Sequence, residues 1–219
     1  MMQNKKIYLI RHGQTEYNRK GIVQGSGIDA PLNETGRIQA KAFYDTYKEV
    51  PFQHIYTSVL QRSIQSVEHF LEWGKPHTKL SGLNEINWGE KEGKVANAED
   101  SEYYASVIKS WVKGDLDRAI EGGESPNMVM ERQKPALHKI ISNPDEHTVL
   151  VCMHGRAMRI FLCLMLGYDL KRMDEFGHAN LCLYLIEYSY AHKKFEIKLA
   201  NEQSHLPELP SFAEEDKKP

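Results

Sequence analysis

Four side chains in this 219-residue sequence are of the types that phosphate chemistry requires. Arg11 and His12 run directly into Gly13, Arg62 lies four residues beyond Ser58, and His154 runs into Gly155. A guanidinium offers a planar fork to phosphoryl oxygens, and an unprotonated imidazole nitrogen can attack phosphorus. Two imidazoles and two guanidiniums gathered at one place would be costly through like charge and lost hydration unless an anion filled the gap. A phosphoryl group suits that gap. The attacking ring must be neutral, and a backbone carbonyl near the Gly13 turn is the candidate to hold its other nitrogen as a donor.

The elements around these residues explain how they could meet. Ile7-Tyr8-Leu9-Ile10 is a short, β-prone apolar run that stops at Arg11, as a buried parallel strand would. After a glycine-bearing loop through Gly21, Gly25 and Gly27, Asn33 is placed to cap a helix in which Ile38 pairs with Ala42 and Phe43 with Tyr47. Thr46 interrupts that stripe. His54–Thr57 reads as a second strand; Ser58 with Gln61 makes a capping box, and Leu60, Ile64, Val67 and Leu71 stripe the helix it opens. Thr148–Met153 is a third strand, followed after His154 and Gly155 by a helix from Ala157 to Leu166, with Gly167 placed for a left-handed cap. Leu181–Tyr188 and Phe195–Leu199 read as two further strands joined by Ala191–Lys194.

Each of the first three strands therefore ends in a phosphate-compatible side chain: Arg11 and His12, then Arg62, then His154. In an open parallel sheet those ends share one edge, which is where ligands bind. The expected fold is α/β, a three-layer arrangement with a mostly parallel sheet and helices on both faces. The stretch from Leu83 to Pro135, with a helical piece near Tyr103–Trp111, reads as an insertion over one sheet edge. Beyond Leu206 the chain is rich in Pro, Glu and Lys and is expected to be mobile, leaving one domain over residues 1–206 and a tail over 207–219.

Composition narrows the partners. With 28 Lys and Arg against 30 Asp and Glu, the net charge is −2, so no global basic field favours nucleic acid or an anionic membrane. Cys152, Cys163 and Cys182 each sit inside an apolar run without metal-ligand spacing, which reads as buried reduced thiols and a reducing compartment. The apolar run after the polar, basic Met1–Lys6 is too short for a signal-peptide core or a membrane span. Cytoplasm is the expected location, and oligomeric state is not legible.

The stretch Arg11-His12-Gly13-Gln14-Thr15-Glu16-Tyr17-Asn18 resembles the signature of the histidine phosphatase superfamily, which includes the cofactor-dependent phosphoglycerate mutases. Also similar, in the same order, are Gln24-Gly25 with Pro31-Leu32, Thr35-Gly36 with Gln39-Ala40, Thr57-Ser58-x-Leu60-x-Arg62, Leu83-x-Glu85, Gly122-Gly123-Glu124-Ser125 and His154-Gly155. The resemblance implies that His12 is the nucleophile that becomes phosphohistidine, that Arg11, Arg62 and His154 bind the phosphoryl oxygens with help from Asn18, and that Glu85 is the general acid. It implies substrate-side contacts at Gln24, the Gly25 backbone and Gly155, and neither metal nor organic cofactor. Met153 and Ser66 depart from the family's commoner Ser and Thr. Spacing alone leaves Glu90 and Glu92 as competitors of Glu85.

The expected activity is hydrolysis of a small phosphate monoester, as in the phosphatase branch of the family. A phosphoglycerate mutase is the first alternative, and a catalytically idle phosphate-binding module is the alternative of another class. Glu85 is followed by Ile86-Asn87-Trp88-Gly89, where the resembling mutases carry a basic and aromatic pair that grips a substrate carboxylate; this favours hydrolysis. Sugar phosphates, phosphoglycerates and nucleotide-loop precursors all fit as substrates.

Overall fold

A computed structural model describes residues 3–94 and 98–207. Strands β1 (Lys5–Arg11), β2 (His54–Thr57), β3 (His77–Lys79), β4 (Thr148–Met153), β5 (Leu183–Ser189) and β6 (Lys194–Glu202) form one sheet in the order β3-β2-β4-β1-β5-β6. The pairings β1–β4, β2–β4 and β2–β3 are parallel, while β5 runs antiparallel to both β1 and β6. The expected final pair of strands is therefore an antiparallel hairpin at one side of a mostly parallel sheet.

Alternation along the strands builds the two outer layers. Ile7 and Leu9 of β1 and Val149, Val151 and Met153 of β4 point to one face, against α6 (Pro126–Ile141) and α7 (Gly155–Leu166). Tyr8 and Ile10, with Leu150 and Cys152, point to the other, against Phe43 of α2 (Glu34–Tyr47) and Phe70 of α4 (Glu68–Leu71). A strand buried on both faces has to be apolar throughout, which is why β1 and β4 read as continuous runs. Burying a side chain such as Phe161 of α7 contributes about 1.5–3 kcal/mol, and truncating it to Ala would also leave a cavity. The three cysteines are buried and free. Among the described residues, no helix is long and apolar enough to cross a membrane.

Several local readings need correction. In α2, which follows the single turn α1 (Glu16–Arg19), Asn33 accepts from Gly36 N at 2.9 Å as its capping role requires, but the buried face is Gly36, Gln39, Ala40 and Phe43, leaving Ile38 46% exposed. The Ser58–Gln61 capping box does not form: the helix α3 (Gln61–Gln65) has Leu60 as its N-cap with no side-chain bond, and Gln61 N donates instead to Asp29 at 2.7 Å. Nor does one helix run from Leu60 to Leu71. Ser66 Oγ donates back to Arg62 O at 2.7 Å, and Val67 leaves helical geometry at φ −121°, ψ 7°, separating α3 from α4. Such back-bonding to the preceding turn is a known way for serine to bend a helix.

The middle of the chain supplies α5 (Ala98–Val112) and α6, and α6 runs on through Pro135 to Ile141. Trp88, Trp111, Ile120 and Val129 lie in the same apolar cluster as Ile7 and Val149. Helix α7 begins at Gly155, two residues earlier than its apolar stripe suggests, and ends at Gly167 with φ 67°. The expectation of a mobile tail falls, apart from Pro207, outside the described residues.

Candidate active site

Strand register brings the site together before any side chain is considered. Arg11 pairs with Met153 in the β1–β4 ladder, and His12 N continues it by donating to Met153 O at 3.0 Å. The next residues, His12 and His154, are thus neighbours, with ring centroids 5.1 Å apart. On the other side of β4, Thr57 pairs with Cys152 and Ser58 N donates to Cys152 O at 3.2 Å, so the turn into α3 carries Arg62 to the same edge.

His12 is 3% exposed, and its Nδ1 lies 2.7 Å from Gly13 O. A carbonyl can only accept, so the ring proton is on Nδ1 and the lone pair is on Nε2. Burial holds the His12 pKa well below its usual value, and the positive charges of Arg62 and Arg11 push the same way. The loop is held by Ser66 Oγ, which accepts from Gly13 N at 2.9 Å, and by Asn180 Nδ2, which donates to His12 O at 3.0 Å. Gly13 must be small: a Cβ there would sit 2.7 Å from Gly36 O.

Arg62 is fully buried and donates to three acceptors: His154 Nδ1 at 3.1 Å, Ile28 O at 2.6 Å and Gly25 O at 3.0 Å. Burial lowers its pKa to about 10, with Glu85, Asp29 and Glu92 opposing the shift, so it remains cationic near neutrality. Arg11 Nη1 donates to His178 O at 2.6 Å, while its Nε is buried without a partner. Burial also lowers the Arg11 pKa, and the Glu85 carboxylate raises it.

His154 has both ring nitrogens committed. Nδ1 accepts from Arg62, so the proton is on Nε2, which lies 2.7 Å from Ser58 Oγ. Burial, Arg62, His12 and Arg11 all keep this ring uncharged. Both nitrogens are engaged by the protein, and the ring supports Arg62.

Glu85 sits at the N-terminus of α7. Its Oε1 accepts from Ile86 N at 2.9 Å and Ala157 N at 2.8 Å, and its Oε2 accepts from Arg156 N at 3.1 Å. The Arg156 and Ala157 amides belong to a helix end, lack intrahelical partners and favour a carboxylate. Arg132 fixes the backbone of this loop by donating to Gly82 O, Asn84 O and Glu85 O at 2.9, 3.1 and 2.9 Å, with Glu124 on the remaining face of its fork at 2.7 and 2.9 Å. The competing carboxylates are placed otherwise. Glu90 is exposed, and Glu92 is packed against Gly25 and Gly27, accepting from Trp88 N at 2.9 Å.

Asn18 Oδ1 accepts from Thr15 N at 3.2 Å and Asn180 Nδ2 at 3.3 Å, so Nδ2 is the Asn18 atom able to donate to a ligand. Gln24 Oε1 accepts from Thr15 Oγ1 at 2.7 Å, and Gln24 Nε2 is buried without a partner. The Gly25 carbonyl is spent on Arg62. Gly155 opens α7, and a Cβ on it would lie 2.7 Å from His178 Cδ2 and 3.3 Å from Arg11 Nε. The site thus holds two guanidiniums, two neutral imidazoles, one carboxylate and two unpartnered buried N–H groups. That inventory favours an anion.

The sequence family described as the histidine phosphatase superfamily (branch 1) matches residues 7–203. The chain belongs to that family. Among this histidine phosphatase's relatives, phosphoserine phosphatase 1 of Hydrogenobacter thermophilus is 31% identical over 176 residues, covering 80% of this chain and 82% of that protein. A probable phosphoglycerate mutase, GpmB of Proteus mirabilis, is 26% identical over 211 residues, covering 93% and 96%. In structure, Bacillus stearothermophilus YhfR superposes with a TM-score of 0.80 at 24% identity, covering 93% of this chain and 100% of that one. At that identity the likeness is one of fold.

Sequence reasoning missed Ser58, Ser66, Asn180, His178 and Arg132. Ser58 carries the pattern of a capping box, and Ser66 stands out in the sequence only as a departure in residue type. Asn180, just before an apolar strand, carried a turn signal that could have marked a loop anchor. Arg132 has no local signal, because the carbonyls it holds lie far away in sequence.

Proposed function

We propose that this histidine phosphatase hydrolyses small phosphate monoesters through a phosphohistidine at His12. The observation that carries the reading is the 2.7 Å contact from His12 Nδ1 to Gly13 O, which leaves Nε2 unprotonated and able to form the P–N bond as the ester P–O bond breaks. A monoanionic ester passes its proton to the Glu85 carboxylate on binding, and the departing alcohol takes that proton. Water then attacks phosphorus and gives a proton to the Glu85 carboxylate, which returns it to the departing inorganic phosphate as His12 is released. Arg11 and Arg62, aided by Asn18 and Gln24, neutralise the phosphoryl oxygens, so charge stabilisation comes from side chains. The phosphatases among the relatives support this reading. A panel of phosphate monoesters assayed for phosphate release with and without chelator tests it; release restored only by a divalent ion would contradict the metal-free step, and binding without release would leave a phosphate-binding module.

The likeness to GpmB favours mutase transfer as a second reading. Against it, Ile86 and Trp88 after Glu85 are buried in the core, and Arg156 and Arg159 share the Asp174 carboxylate at 2.5 and 2.7 Å. A product that is not retained leaves the phosphohistidine to water. Incubation with 3-phosphoglycerate and a bisphosphoglycerate primer decides: isomerisation faster than phosphate release would establish the mutase.

A further inference from the structure

His178 has no task in the chemistry assigned to His12, His154 and Glu85, yet it stands at the same place. It lies between the turn Leu170–Glu175 and β5, with its carbonyl on Arg11 Nη1 at 2.6 Å. Its Nδ1 is 3.0 Å from Arg159 Nη2. A guanidinium can only donate, so Nδ1 carries the lone pair and the ring proton is on Nε2. Arg159 is itself anchored, with Nε on Phe176 O at 2.9 Å and Nη1 on Asp174 at 2.7 Å. Burial, then Arg11, Arg159 and Arg156, hold the His178 pKa down to about 3, with Asp174 opposing. The ring is neutral wherever the enzyme would work.

Gly155 shows where the donor edge lies. A Cβ at Gly155 would be 2.7 Å from His178 Cδ2 and 3.3 Å from Arg11 Nε. Cδ2 is bonded to Nε2, so the Nε2 edge of the ring lies at the first residue of α7, beside the Arg11 Nε that is buried without a partner. Supporting Arg159 would need only an acceptor. A ring pressed against Gly155 and carrying its proton on the far nitrogen does more than that.

We propose that His178 is a further substrate-contacting residue, a neutral Nε2–H donor to a phosphoryl oxygen of the bound monoester, oriented by Arg159. It would add a hydrogen bond to the oxyanion without adding a third positive charge beside His12. This rests on the hydrolase reading of the site and deepens it.

Two variants separate donation from packing. His178→Phe keeps ring bulk but neither donates nor accepts, whereas His178→Gln offers both a donor and an acceptor on one planar group. Orthovanadate binding to the full chain, measured by calorimetry, should weaken about 10- to 100-fold in His178→Phe and recover to within a few-fold of wild type in His178→Gln, with kcat/KM for an aryl phosphate following the same order. Vanadate affinity unchanged in His178→Phe, or equally weakened in both variants, would overturn the proposal. The binding readout needs no turnover. Wild-type protein that binds vanadate but releases no phosphate would sink the hydrolase reading alone, while normal hydrolysis with unaltered vanadate binding in His178→Phe would sink this one alone.

Discussion

Arg62 Nε donates to His154 Nδ1 across 3.1 Å, and the far nitrogen of that ring is held 2.7 Å from Ser58 Oγ. The protons around Ser58 then have one consistent arrangement. Ser58 Oγ accepts from His154 Nε2 and from Leu60 N at 3.1 Å, and so donates to Ser63 Oγ at 2.7 Å, which passes its own hydrogen to Leu60 O at 2.8 Å. This chain fixes the tautomer of His154, and the tautomer lets Arg62 be held as a donor.

Ser58→Ala should therefore act through Arg62. It strands the buried Nε2–H of His154, at a cost of about 1–3 kcal/mol, and releases the ring to its other tautomer. We expect a lower melting temperature together with a kcat about 10-fold down, read by thermal unfolding and steady-state kinetics. A variant that melts lower but turns over at the wild-type rate would show that the chain serves stability alone.

Glu85 has a structural duty as well as the proposed chemical one. Glu85→Gln can keep one oxygen on Ile86 and Ala157 but would turn an amide NH2 towards Arg156 N, which is also a donor. The expected result is a modest loss of stability and a drop in kcat of about 100-fold or more for alkyl phosphates, with a much smaller drop for aryl phosphates, whose leaving oxyanions need no proton. Equal losses for both substrate types would remove Glu85 as the acid.

Stability should fall as the solution is acidified below about pH 6.5. His12, His77, His154, His178 and His205 all have pKa values lowered in the folded protein, chiefly by burial. Below the unfolded value the unfolded chain binds more protons, so stability rises with pH up to that value and is then level with respect to these groups. The fully buried His12 and His154 each contribute up to about 1.4 kcal/mol per pH unit in that window, and the partly exposed His77, His178 and His205 contribute less because water screens them. Glu16, Glu124 and Glu146, whose pKa values are lowered, act only below about pH 4.5. Melting curves between pH 5 and 8 measure the slope; flat stability from pH 7 down to 5 would contradict it.

Much of the fold was legible because β1 and β4 are buried on both faces and so read as unbroken apolar runs, each stopping where a polar site residue begins. The meeting of His12 with His154 followed from parallel topology alone. What stayed hidden depends on tertiary partners. Ser58 carries the pattern of a helix cap, but a neighbouring strand brings His154 to its hydroxyl. Ile38 fits a helical stripe, but the sheet lies under Gln39 and Phe43 instead. Ser66 reads as one more helix residue, but its hydroxyl accepts from the Gly13 amide, 53 residues away. Arg132 holds a loop about 50 residues earlier in the chain, a relationship that no window of sequence contains.

In the proposed mechanism phosphorus is transferred to one nitrogen, Nε2 of His12. The most direct measurement is to quench turnover of a labelled monoester in alkali, which preserves phosphoramidates, and to locate the label by peptide mass spectrometry in wild type and in His12→Ala. Label is expected on the peptide containing His12, lost in acid, and absent from a folded but inactive His12→Ala. Label on a serine, aspartate, cysteine or His154, or turnover persisting in His12→Ala, would contradict it.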